Sequence, residues 1–515
     1  MTLGLWNLAA KDPDHPAVIE AETGRTTTRG ELAERTNQVV HALRARGLGV
    51  GSVMATVMHN ETELLEVFFA ALQSGMYVAP INYHSTVDEI AYIVADSEAE
   101  VVFASASEAD RVIEAARQAG LDPTAVVVIG DTADGTSWDD LLDGVPTTRP
   151  EDTTAGWMMT YSSGTTGRPK GIKRPLSGMD PDDVGEVWSL PLRIFGIGPD
   201  EHVHLVQSPF YHTAVLVYVN SSAQYGHTIV LMRDWSAEKA LEAIERFGVT
   251  TTHMVPTHFH RLLALSDEER AAHDLSSMQY AVHGAAPCPI ETKRAMIDWW
   301  GPVIYEYYGT SEGGGTIARP EDWLERPGTV GSAWVNADVQ IRDLEGNTLP
   351  PGEHGQVWML AGALDFEYHN QPDKTAEAKR DGYFTAGDVG WMDEDGFLFL
   401  DGRVSDIIIT GGVNVHPSEV ENLLITHDKV ADVAVFGVPD PEWGEAIKAV
   451  VRPADGIAPG DELTEELLAF CSERLAKFKL PRSVDYLDEL PRDPNGKLYK
   501  RRLRDPYWTT QGTPS

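Results

Sequence analysis

Short apolar runs alternate with helically spaced apolar residues along most of this chain, and that alternation predicts layered α/β structure. From about Thr28 to Arg46, Leu32, Val39, Val40 and Leu43 fall on one face and Gly47 closes the pattern, as an amphipathic helix requires. Val101–Ala104, His204–Val206, Thr228–Met232, Thr251–Val255 and Met278–Val282 have the character of buried strands. Between the third and fourth, Ser236 is placed to cap a helix carrying Ala240, Leu241, Ile244 and Phe247. Glu242 and Arg246 form an i,i+4 pair on that helix, and Gly248 stops it. In such repeats the loops that follow strands carry the chemistry.

A boundary is expected near residue 400, where the turn-rich Trp391-Met-Asp-Glu-Asp-Gly-Phe gives way to Asp401-Gly-Arg-Val-Ser-Asp. The pattern then restarts with a helix at about 417–426, strands at about 430–437 and 446–452, and a helix at about 463–477. The expected domains are therefore 1–402 and 403–515.

At 515 residues the chain exceeds one ordinary core, which agrees with that division. A net charge of −38 argues against duplex nucleic acid or an anionic membrane surface as main partner, so any anionic ligand must be held by local cations. Cys288 and Cys471 are too few and too far apart for a disulfide framework or a zinc site. No basic region precedes the short apolar start, and no apolar segment approaches transmembrane length. A cytoplasmic chain without integral membrane association is expected.

The richest segment is Tyr161-Ser-Ser-Gly-Thr-Thr-Gly-Arg-Pro-Lys170-Gly171. Its glycines let backbone N–H groups turn inward as an anion nest, its hydroxyls add donors, and Lys170 adds a cation. The spacing is not that of a Walker loop, so a P-loop ATPase is disfavoured. Tyr307-Tyr-Gly-Thr-Ser-Glu312 sets a carboxylate beside a glycine turn, suited to a magnesium–polyphosphate complex. Thr385-Ala-Gly-Asp388 offers an acid able to accept the hydroxyl protons of a ribose, Asp401-Gly-Arg403 a guanidinium, and Pro491-Arg-Asp-Pro-Asn-Gly-Lys497 a lysine on a shaped turn. Singly, each is as common in ordinary turns and surface ion pairs.

In this order the islands resemble the adenylate-forming (AMP-binding) superfamily of acyl-CoA synthetases, luciferases and peptide-synthetase adenylation domains. The resemblance runs from Leu72-Gln-Ser-Gly-Met-Tyr-Val-Ala-Pro-Ile-Asn82 and Asp88-Glu-Ile-Ala-Tyr-Ile through Gly402-Arg-Val-Ser-Asp-Ile-Ile-Ile-Thr-Gly-Gly412 to Gly496-Lys497. It implies a large N-terminal multi-subdomain α/β domain and a small mobile C-terminal α+β domain. It also implies an ATP-dependent, magnesium-requiring carboxylic acid–CoA ligase that works through an acyl-AMP intermediate.

By that resemblance Ser162, Ser163, Gly164, Thr165, Thr166, Gly167 and Lys170 would hold the β- and γ-phosphates, and Glu312 would coordinate Mg²⁺. Gly284, Ala285, Ala286, Tyr307, Tyr308, Gly309 and Thr310 would contact the nucleotide around its adenine. Asp388 and Arg403 would hold the ribose, and Lys497 would bridge the substrate carboxylate and the α-phosphate. Lys497, His212, Glu312 and Thr166 would thus be the catalytic groups, with His212 gating the acyl site. The acyl pocket would be lined by Tyr211, His212, Thr213, Ala214, Val217 and the backbone of Gly313, Gly314 and Gly315, whose missing side chains are expected to leave room for a bulky or extended acid. Gly411 and Gly412 would shape the pantetheine tunnel after rotation of the small domain, and Trp443 would stack on the coenzyme A adenine. Ser405 stands where the family has a hinge Asp or Lys, Ser311 replaces a threonine, Val215 a glycine, and Leu480 a basic residue.

The favoured acid is hydrophobic, of medium or long chain or ring-bearing. Rival readings are acyl transfer to an amine or to a carrier-protein thiol and, from another class, a non-catalytic nucleotide-binding protein; a homodimer is left open.

Overall fold

The computed structural model of the chain describes residues 3–162, 169–199, 201–362, 365–492 and 498–509. Two parallel arrays form its N-terminal part. In the first, strand Val53–Val57 lies between Tyr77–Pro80 and Val101–Ser105, and Val126–Ile129 follows. These strands are mostly apolar and buried almost throughout, as expected where helices cover both faces.

In the second array, strands Val203–Val206, Thr228–Leu231, Thr251–Met254, Tyr280–His283 and Ile304–Thr310 pair in parallel. The pairing then reverses: Ile304–Thr310 is antiparallel to Gly313–Ala318, which leads through Gly331–Ala333 to Phe397–Arg403 and Asp388–Met392. Ile304–Thr310 is therefore the seam between parallel and antiparallel halves of one large sheet. The candidate site gathers at the carboxyl end of that seam, as expected of α/β sheets.

The helices follow the sequence signals closely. Arg29–Ala45 starts at a capping box in which Thr28 and Glu31 satisfy each other's backbone N–H groups. Ala237–Phe247 is capped by Ser236 and stopped by Gly248 in the left-handed region. One expectation there is corrected: Arg246 does not pair with Glu242 but donates to the Ala21 carbonyl and lies on the Phe247 ring. Docking to the neighbouring loop thus displaces an exposed i,i+4 pair, an interaction of only about 0.3–0.5 kcal/mol.

Beyond Arg403 a separate five-stranded sheet forms around the long hairpin Val430–Asp440 and Gly444–Pro453. Helices Pro417–Leu424 and Asp461–Ser472 pack on it around Val420, Leu467 and Cys471. The second helix is shorter than its expected 463–477: at its end the Arg474 N–H bonds only three residues back, to the Cys471 carbonyl. Both cysteines are free.

Candidate active site

Asp388 is the best-defined anchor. It begins strand Asp388–Met392, directly opposite Arg403 at the end of Phe397–Arg403. Arg403 Nε donates to its Oδ1 at 3.1 Å, and the Tyr308 hydroxyl donates to its Oδ2 at 2.7 Å. Each carboxylate oxygen has two lone-pair directions, so both retain one for a further donor. Burial, with the Asp388 charge beside it, keeps the Tyr308 hydroxyl protonated far above the usual tyrosine range.

Glu312 lies in the turn between strands Ile304–Thr310 and Gly313–Ala318 and is also buried. The Tyr368 hydroxyl donates to its Oε1 at 2.8 Å, and the Lys170 ammonium lies 4.7 Å above the Tyr368 ring. A single aromatic residue therefore links the lysine of the glycine-rich loop to the candidate metal carboxylate. Burial first and the neighbouring Lys374 second hold the Lys170 ammonium below the usual lysine range, while Glu312 opposes them. Arg174 donates to the backbone carbonyls of Ser311 and Glu312, fixing the turn from below.

Ser162 and Lys170 are Cα partners in an antiparallel ladder, so the glycine-rich loop is closed at its base. Ser163, Gly164, Thr165, Thr166 and Gly167 lie outside the described residues, as does Lys497. Among the described residues no three His, Cys, Asp or Glu side chains converge as a metal cage. One buried carboxylate beside a phosphate loop instead fits Mg²⁺, which keeps most of its shell for water and phosphate oxygens.

Tyr307 and Tyr308 point opposite ways, as consecutive strand residues must. Tyr308 joins Asp388, whereas the Tyr307 hydroxyl lies 3.1 Å from His253 Nε2. The Tyr307 ring is pressed on Gly284, where a Cβ would come within 2.5 Å of it. Ala285, next along, is exposed and holds φ +67°, a left-handed conformation uncommon outside glycine. Behind this loop Lys293 Nζ and Glu306 Oε2 are 2.6 Å apart and wholly buried, tying helix Ile290–Trp300 to the seam strand.

His212 precedes helix Thr213–Tyr225, with its ring 4.3 Å from that of Tyr211. Thr213 Oγ1 is 3.1 Å from Ser311 Oγ, which docks the first turn of this helix on the strand hairpin carrying Glu312. Ala214 and Val217 are partly exposed there, and Val215 is buried. The structure corrects the expectation of open volume at Gly313–Gly315. A Cβ on Gly313 would lie 2.8 Å from the Phe384 ring, one on Gly314 would overlap Trp334, and one on Gly315 would meet the Tyr308 carbonyl. Here glycine permits close approach of neighbours rather than leaving space.

In the C-terminal sheet Gly411 and Gly412 form the two-residue turn between Ile408–Thr410 and Val413–Val415, both at positive φ. Trp443 packs on Gly411, where a Cβ would come within 2.6 Å, and the Arg482 guanidinium covers the ring at 4.9 Å.

The profile of the AMP-binding enzyme family matches residues 5–363, and that of the AMP-binding enzyme C-terminal domain matches residues 419–497. The chain belongs to the AMP-binding enzyme family. A fatty acid–acyl-carrier-protein ligase of Streptomyces coeruleorubidus is 32% identical over 97% of this chain and 95% of that protein. A feruloyl-CoA synthase of an Amycolatopsis species is 33% identical over 98% of each chain. Among solved structures, the amide bond synthetase McbA from Marinactinospora thermotolerans superposes with a TM-score of 0.82 at 28% identity, over 96% of this chain and 97% of that one.

In this AMP-binding enzyme, sequence reasoning overlooked Tyr368, Arg174, Tyr218 and His253. Tyr368 reaches the site only through its ladder pairing with Ile172, which no local spacing announces. Tyr218 was legible, since it stands one helical turn beyond Ala214. No described helix is long and apolar enough to cross a membrane.

Proposed function

We propose that this chain is an ATP-dependent carboxylic acid–CoA ligase working in two steps within the cytoplasm. In the first, a carboxylate oxygen attacks the α-phosphorus of ATP, the bond to the bridging oxygen breaks, and pyrophosphate leaves. In the second, the thiol of coenzyme A loses its proton, its sulfur attacks the acyl carbonyl carbon, and AMP leaves with the electron pair. The observation that carries this reading is the junction of two charged clusters on one seam: Asp388 with Arg403 and Tyr308, and Glu312 with Tyr368 and Lys170.

Asp388 accepts the ribose hydroxyls on its remaining lone pairs, with Arg403 holding it in place. The loop from Ser162 to Lys170 receives the outer phosphates. Glu312 would hold Mg²⁺, which supplies charge neutralisation on the phosphate oxygens. Lys497 stabilises the negative charge that grows on the α-phosphate as the carboxylate adds. Residues 403–515 turn as a unit about Val404–Asp406 between the steps, withdrawing Lys497 and presenting the Gly411–Gly412 turn.

The test is acid-dependent pyrophosphate release by the purified chain with ATP and magnesium, followed with and without coenzyme A, with the thioester identified by mass spectrometry. Acid-dependent release with no thioester would leave adenylation standing and remove the CoA step. A second acceptor, the thiol of an acyl carrier protein, is favoured by similarity to the Streptomyces ligase. Supplying phosphopantetheinylated carrier in place of CoA separates the two.

A further inference from the structure

Three rings pack together beneath the candidate acyl side. Helix Thr213–Tyr225 leaves the site with the partly exposed Ala214 in its first turn, and Tyr218 stands four residues further on, about 6 Å deeper on the same face. Tyr218 is 4% exposed and lies over His253 with ring centroids 5.0 Å apart at 26°, and its ring is 5.9 Å from Tyr307. The Tyr307 hydroxyl and His253 Nε2 are 3.1 Å apart, so the three side chains brace one another.

These rings have little freedom to withdraw. Tyr307 already occupies the space left by the absent side chain of Gly284, and His253 is fixed on the buried strand Thr251–Met254. Gly313 and Gly314 leave no added space either, because Phe384 and Trp334 fill the positions over them. His253 sits among rings and buried strands, and burial holds it neutral.

We propose that this floor closes the acyl site one helical turn below its mouth, and that the acid accepted is compact and carries a single ring rather than a long alkyl chain. The inference rests on the ligase reading above and narrows its substrate. Aromatic walls at Tyr211, Tyr218 and Tyr307 offer edge-to-face and offset contacts to a flat ring, which a flexible chain cannot use as well. Tyr218 is thereby a specificity-determining residue.

The experiment measures pyrophosphate release by the full chain with magnesium and ATP on three sets of acids: single-ring aromatic acids, short aliphatic acids, and saturated straight chains from octanoate to palmitate. The expected result is a kcat/KM for the best ring acid at least about tenfold above that for any straight chain. In Tyr218→Ala the ratio of dodecanoate to ring-acid efficiency rises about tenfold, with KM for ATP unchanged. Should that variant fail to fold by circular dichroism, the wild-type ratio decides alone. Straight-chain acids, long or short, turned over as efficiently as ring acids by the wild type would overturn the inference and leave the ligase reading standing. A folded Tyr218→Ala with an unaltered preference would overturn the role of the floor. No acid-dependent release with any set removes the ligase reading, and this inference with it.

Discussion

The two sides of the seam strand Ile304–Thr310 are built from opposite chemistry. On the side proposed for the nucleotide every group of interest is charged or hydrogen-bonded to a charge: Asp388, Arg403, Glu312, Lys170, and the hydroxyls of Tyr308 and Tyr368. On the side proposed for the acyl group, where Tyr307 faces away from Asp388 although the sequence had placed it with the nucleotide, Tyr218, His253 and Tyr307 are neutral rings braced by contact and one hydrogen bond. The adjacent residues Tyr307 and Tyr308 belong to different sides, so one dipeptide divides the site. A polyphosphate needs fixed charges at fixed places, whereas an acyl group needs a shape. The first requirement restricts residue type, and the second restricts only volume.

The largest expected effect tests whether charge alone drives the nucleotide side. Lys497→Ala should lower acyl-AMP formation about a thousandfold, while thioester formation from supplied acyl-AMP persists; equal loss in both steps would break the division of labour. Asp388→Asn should lower kcat/KM for ATP about a hundredfold, the range expected when charge-assisted hydrogen bonds are lost. That loss should be the same for every acid tested, and a change in acid preference would mean the two sides are coupled.

Smaller effects separate the tyrosine pair. Tyr308→Phe removes one bond to Asp388 and should raise KM for ATP about threefold to tenfold with acid preference intact. Tyr307→Phe should do the reverse, shifting the KM of the acid and not that of ATP. Steady-state kinetics on both substrates reads the pair directly.

A separate test reads stability rather than kinetics. Burial lowers His204, His253 and His258 from 6.5 to about 3 in the folded chain. Between those values the unfolded chain binds more protons, so stability falls as pH drops, by about 1.4 kcal/mol per unit for each group. Thermal unfolding from pH 7 to pH 4 should show this fall, and His204→Gln should flatten it. A midpoint that does not move over this range would show that the ring side is wetter than its packing implies.

Legibility in the sequence follows the same divide. The motifs around Asp388 and Glu312 stand out only as an ordered set, since a carboxylate on a glycine turn is common singly; Arg403 was within reach because it lies opposite Asp388 in the ladder. Helices were readable where side-chain caps such as Thr28–Glu31 and Ser236 mark their starts. Tyr368 was not, since only the pairing of distant strands brings it to Glu312. Gly313 and Gly314 misled for a related reason: a glycine in a sequence does not say whether solvent or a neighbour's ring takes the missing volume. Trp334 arrives there from the end of the neighbouring strand Gly331–Ala333, and Phe384 from a strand far along the sheet.

Ala285 carries a consequence of its own. Its left-handed backbone costs a residue with a Cβ about 1–3 kcal/mol, and that energy is supplied by the packed strand and helix on either side. The methyl group stands at the rim where the purine is expected, so the rim holds one shape at the expense of the fold's own reserve. A glycine in its place would refund the loan, and the rim would lose its stiffness.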